Sequence, residues 1–145
     1  MGTFYFSGTY DETMTLLVEA RDYLAAKELG SRDPGHGPDA EGRLLANREA
    51  MRITSRLTQV MAWLLLQRAV HEGEVDYDEA LKPENRLDGH GVCLVRSEVP
   101  LPPYLGRLLD RSYSLYARID RLDKQMAGAR PYARVKRREI RAVPS

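Results

Sequence analysis

Of the 145 residues in this chain one, Cys93, is a cysteine. A lone thiol excludes an internal disulfide framework and suits a reducing cytosol. Long hydrophobic runs are missing too. The longest, residues 60–66, falls far short of the roughly 20 residues that a membrane span requires. The first residues carry neither the basic start nor the apolar run of a secretory leader. The expectation is a cytosolic protein with no membrane contact. An excess of one charge is also lacking: 22 basic against 21 acidic side chains leave a formal net charge of +1, which argues against a generally cationic nucleic-acid binder. Histidines number three and tryptophans one, so a metal site would need further ligands, and Trp63 stands out.

What is present is helical periodicity. Residues 41–73 contain no proline, and their glycines sit at the two ends. Leu45, Ile53, Leu57, Val60 and Leu64, with Met61, Leu65 and Ala69 beside them, recur at helical spacing. A helix of that length is far longer than the average of about 11–12 residues. Its apolar side needs other helices as covers. Ahead of it, Thr9 and Glu12 form a T-x-x-E capping box, with Ser7 as the competing cap. From there Tyr10, Met14, Leu17, Val18 and Leu24 share an apolar face up to Gly30. This predicts a first helix at about 9–29, followed by a Pro- and Gly-rich connector at 31–42.

Beyond Gly73 the pattern breaks. Residues 74–103 hold Pro83, Pro100, Pro102 and Pro103 and a short β-like run at 92–95, so a long loop without helix is expected. A third helix at about 103–127 has the cleanest pattern in the chain: Leu105, Leu108, Ser112, Leu115, Ile119, Leu122 and Met126 step by three and four without a miss. Gly128 and Pro131 are its expected stops. The end of the chain, 128–145, sets six basic side chains against Glu139, a local net of +5 that leaves −4 on residues 1–127. Few large apolar groups accompany that charge, so a flexible basic tail is expected. Together these elements predict an all-α fold: a three-helix bundle over 1–127 with a long central helix and the tail at 128–145. A second copy of the chain would close the uncovered part of the long helix, most simply as a two-fold dimer.

No catalytic set emerges from the motifs. His71-Glu72 begins like the H-E-x-x-H zinc motif, but position 75 is Val75, so the second ligand is missing. His90 and Cys93, three apart, fall short of a zinc site without ligands from unlinked loops. Nothing marks Cys93 as an activated nucleophile. Gly89 and Gly91 lack the third glycine and the strand-to-helix context of a phosphate loop. The acids at 76–79 lack calcium-loop spacing. No metal and no cofactor is expected, and the reading is non-enzymatic.

A polar line on the long helix is more informative. Arg52, Arg56, Gln59 and Trp63 lie at helical steps of four, three and four, flanked by Arg48 and Ser55. Trp and Arg are the residue types that anchor protein interfaces. The competing reading makes Trp63 core, with the arginines reaching over it. The basic residues Arg134, Lys136, Arg137 and Arg138 offer either a docking peptide or phosphate contacts. A small DNA-associated regulator using that tail is therefore the alternative, although no folded nucleic-acid reader is visible.

Residues 6–24, 51–74 and 101–123, and most specifically RITSRLTQVMAWL at 52–64, resemble the alphaproteobacterial regulator of CtrA degradation, the RcdA family. The resemblance implies a three-helix bundle, a homodimer and a flexible C-terminus. It also implies an adaptor for the ClpXP protease: a primed response regulator such as CpdR prepares ClpX, and regulators such as CtrA-like or TacA-like proteins are delivered, with recruitment to a cell pole. The family offers no catalytic residues to transfer. By analogy, the Arg52–Trp63 face, flanked by Arg48, and the tail become the expected contact surfaces.

Overall fold

In the computed structural model, residues 4–30, 39–96 and 100–142 are described, with side chains for 4–26, 40–96 and 100–128. Three long helices dominate: α1 (Ser7–Gly30), α2 (Asp39–His71) and α5 (Pro103–Ala142). Between α2 and α5 lie two single-turn helices, α3 (Tyr77–Ala80) and α4 (His90–Cys93), separated by a 3-10 turn at Pro83–Asn85. There is no strand among the described residues. The fold is all-α, as expected.

α2 is the spine, packed against α5, α1 and the α3–α4 segment. Its 33 residues span about 50 Å at 1.5 Å per residue. Ala46, Ala50, Ile53, Leu57, Val60, Trp63 and Leu64 are all buried on it. The small residues at 46 and 50 let a neighbouring helix come close, while the branched ones fill the wider space beyond. On α5 the heptad seam is the buried face: Leu105, Leu108, Ser112, Leu115 and Ile119 are each 1% exposed or less.

α1 departs from its expected register. Thr13, Leu16 and Ala20 are its buried positions, while Met14 and Val18 are 41% and 40% exposed. The Thr13 hydroxyl donates to the Thr9 carbonyl at 2.7 Å. A satisfied hydroxyl can be buried at little cost, and so a polar residue takes the core position that a hydropathy pattern denies it. The helix begins at Ser7 rather than Thr9, and the Glu12 carboxylate, assigned to a capping box, instead accepts from Arg118 on α5 at 2.8 Å.

Two further expectations change. The 74–103 stretch is not helix-free, and its β-like run begins inside α4. The third helix does not stop at 127: its backbone continues through Gly128 and Pro131 to Ala142. Proline deletes one i→i−4 bond, and the surrounding alanines, arginines and lysine are good helix formers. The expected boundary at 128 is therefore not a helix end. Most of the connector expected at 31–42 lies outside the described residues.

Candidate partner-docking site on the central helix

The polar strip of α2 faces the α3–α4 segment and is fastened to it. Arg56 is 1% exposed. Its Nε donates to the Cys93 carbonyl at 2.8 Å and Nη2 to the Val95 carbonyl at 2.8 Å. Nη1 donates to the Leu109 carbonyl at 3.1 Å and to Ser112 Oγ at 3.2 Å. A planar fork of five N–H groups thus ties α2, the end of α4 and α5 together, a geometry lysine cannot reproduce. No carboxylate forms an ion pair with Arg56 among the described residues. Burial pushes its pKa below the usual value, and the neighbouring Arg52 adds to that, with Cys93 and Glu49 opposing.

Trp63 is 3% exposed and belongs to the core cluster. Its ring meets Phe6 edge-on at 5.1 Å, and its indole N–H donates to Asp123 Oδ1 at 3.1 Å. Asp123 also accepts from Arg86 Nε with both oxygens, at 3.0 and 2.9 Å. Gln59 accepts from the Asp88 backbone N–H at 3.2 Å. One turn towards the N-terminus, Arg52 Nη1 donates to both oxygens of buried Glu49 at 2.6 and 2.7 Å, while its buried Nε has no partner among the described residues. Arg48 and Ser55 are exposed.

The expected strip is therefore split. Arg56 and Trp63 lie under the α3–α4 segment, which holds Gln59 as well; Arg48 and Ser55 remain in solvent. The competing reading, Trp63 in the core, describes that residue. Arg134, Lys136, Arg137 and Arg138 lie on the α5 backbone, but their side chains are outside the described set.

The α3–α4 segment is fixed by His90, Cys93 and Gly89, which the sequence patterns raised only as chemical candidates, and by residues that they did not single out. Leu87 and Cys93 are buried against the core. The Tyr116 hydroxyl donates to the Asp88 carbonyl at 2.7 Å. His90 Nε2 and Asp120 Oδ1 share a hydrogen bond of 2.7 Å, and Lys124 donates to the other Asp120 oxygen at 3.0 Å. Burial alone would raise the Asp120 pKa; the hydrogen bonds from Lys124 and His90 outweigh it and leave the carboxyl more acidic than usual. Gly89 turns the chain with φ +82°, and a Cβ there would sit 3.2 Å from Cys93 Sγ. The faint signal in the sequence was Asp120 and Asp123, two acids flanking the apolar seam of α5.

The arrangement offers little to chemistry. His90 is engaged with Asp120. Burial pushes the Cys93 thiol above its usual pKa, against the opposing charges of Arg56 and Arg52, the reverse of what a nucleophile needs. Among the described residues no three His, Cys, Asp or Glu side chains gather as metal ligands, and no helix is long and apolar enough to cross a membrane.

Comparisons with known proteins bear on this scaffold. A family model described as "Protein of unknown function (DUF1465)" matches residues 2–143. The chain is also similar to the crystal structure of RcdA from Caulobacter crescentus CB15, at 33% sequence identity and a TM-score of 0.62, over 87% of this chain and 92% of that one. The chain belongs to the RcdA family. None of the curated proteins compared with it matches. In this RcdA-like chain, the stretch 52–64 that carries the resemblance is the stretch whose polar side chains fasten α2 to its neighbours. Buried Arg56 and Trp63 can be exchanged for few other residues without orphaning carbonyls or a carboxylate.

Proposed function

We propose that this RcdA-like protein is a non-enzymatic adaptor that tethers regulatory proteins to the ClpXP protease. The observation that carries this reading is the likeness to RcdA, 33% identical over 87% of the chain. The inert surroundings of Cys93 agree with it. As an adaptor, the chain works with ClpX and a primed response regulator such as CpdR, and its cargo is CtrA-like or TacA-like regulators. Tethering raises the local concentration of cargo at the protease, so weak contacts suffice.

Exposed Arg48 and Ser55 on α2 and the basic residues Arg134, Lys136, Arg137 and Arg138 on α5 are the proposed contact points. A homodimer fits the exposed apolar side chains Leu44, Met51 and Leu65, which are 61%, 70% and 47% exposed and fall at multiples of seven along α2, hence on one face. The working site is the cytoplasm, with recruitment to a cell pole through the protease.

A reconstituted degradation assay with ClpXP, primed CpdR and a labelled regulator tests the proposal. Adding the protein should accelerate cargo loss severalfold; an unchanged rate rejects the adaptor reading. Light scattering at micromolar concentration tests the dimer, and a monomeric mass rejects it. If removing residues 129–145 abolishes a salt-dependent affinity for DNA, the tail belongs to a DNA-associated regulator instead.

A further inference from the structure

Beside the buried guanidinium of Arg56 lies a small cavity of about 150 Å³, lined by Arg56, Arg96, Leu101, Leu109, Asp110 and Tyr113. Ligand sites for drug-sized molecules measure roughly 300–1,000 Å³. This one has room for a single side-chain head group and its methylenes. Its chemistry is unbalanced. Arg56 spends four hydrogen bonds on three carbonyls and a hydroxyl, all neutral acceptors, and no carboxylate pairs with it among the described residues. The Nη2 atom makes one of these bonds, which leaves its second N–H without an acceptor among the described residues. Arg96 is a second cation on the same wall. Its guanidinium lies 4.2 Å from the centre of the Tyr113 ring, and that of Arg56 lies 5.3 Å from the same ring.

Among the described residues the counter-charge at this wall is weak. Asp110 approaches Arg96 at 3.5 Å, with side chains 77% and 58% exposed respectively, and so solvated a pair is worth little. An incoming carboxylate can take the place of Asp110 on Arg96 and gain the nearby charge of Arg56 as well. Leu101 and Leu109 then cover its methylenes. A doubly charged phosphate suits the site less, because Asp110 stands at its edge.

We infer that the Arg56–Arg96–Tyr113 cavity is a docking site for a carboxylate presented by a peptide, either an acidic side chain or a free C-terminus. Arg96 is the adjustable contact; Arg56 is a fixed positive charge held by the fold. The inference goes beyond the adaptor reading and stands without it, since it concerns the binding of a short peptide by the isolated protein.

The test is an amide-shift titration of the full-length ¹⁵N-labelled protein with three peptides: acetyl-AADAA-amide, acetyl-AAAAA with a free C-terminus, and acetyl-AAAAA-amide. The expected result is a saturable shift at Leu109, Tyr113 and Gly106, which also lines the cavity, with one or both carboxylate peptides and none with the neutral one. Whichever peptide binds identifies the source of the carboxylate. Arg96→Gln, at an exposed position that leaves the core intact, should weaken binding by tenfold or more. Asp110→Asn should strengthen it severalfold by removing the internal competitor. Absence of a shift with both carboxylate peptides, an equal shift with the neutral peptide, or an affinity indifferent to Arg96→Gln would each overturn the proposal.

Discussion

Two polar seams run through this molecule, and they are built differently. Between α1 and α5, Glu12 meets Arg118 at 2.8 Å and Glu19 meets Arg111 at 2.7 Å, all with substantially exposed side chains. Between α2, the α3–α4 segment and α5, the polar groups are mostly buried: Arg56 on carbonyls and Ser112, and Trp63, with the partly buried Arg86, on buried Asp123. Short distances occur on both sides, so distance does not rank them. Burial does, because an exposed ion pair dissolves into water at little cost, whereas a buried partner left alone bears the full desolvation penalty. The first seam adjusts; the second specifies where an otherwise irregular segment must lie.

Substitution should break the second seam and barely touch the first. Arg56→Ala removes four hydrogen bonds at once and should cost about 3–4 kcal/mol in urea unfolding, with Arg56→Lys recovering little, because one ammonium cannot reach acceptors on two sides. Equal stability of Arg56→Ala and the parent would mean that the α3–α4 segment contributes nothing to folding. Asp123→Ala should follow at about 2–3 kcal/mol, since it strands the Trp63 indole N–H and leaves Arg86 without its carboxylate. Tryptophan fluorescence of the native state gives a second reading, with a shift expected as the indole loses its partner.

Gly89→Ala should cost about 1–2 kcal/mol, from the left-handed backbone and the close approach of Cys93 Sγ; a stabilising effect would mean that the turn is not held in that conformation. At the bottom of the scale, a double-mutant cycle on Glu12 and Arg118 should return a coupling of about 0.2–1 kcal/mol that fades with added salt. A coupling above about 2 kcal/mol there would erase the distinction between the seams.

The contrast also sorts what sequence patterns reveal. The seam of α5 was readable because an unbroken alternation of three and four steps has one structural meaning, and Leu105 to Ile119 are buried as that pattern requires. α2 was readable for the same reason. The α1 register was not, because Thr13 enters the core through a hydrogen bond to its own helix, which hydropathy cannot register. Nor were α3 and α4. Each is 4 residues long, too short to repay the cost of nucleating a helix unaided, and the placement of α4 and its flanks depends on partners 28 to 39 positions away in the chain, such as Tyr116 and Arg56. The spacing of Arg56, Gln59 and Trp63 makes them one polar strip, and they do share a face. That the face is covered is a tertiary fact.

By itself, the sequence determined the helical class, the long central helix and the buried seam of α5, because periodic burial is a local property written into residue spacing. It also carried the family resemblance, concentrated at 52–64. The tertiary structure alone decided that the same stretch is a fastening rather than an open surface, and that Arg56 lies buried beside a small cavity with no carboxylate paired to it among the described residues. Those outcomes depend on which distant carbonyls and carboxylates arrive at one place, and no spacing along a single helix encodes that.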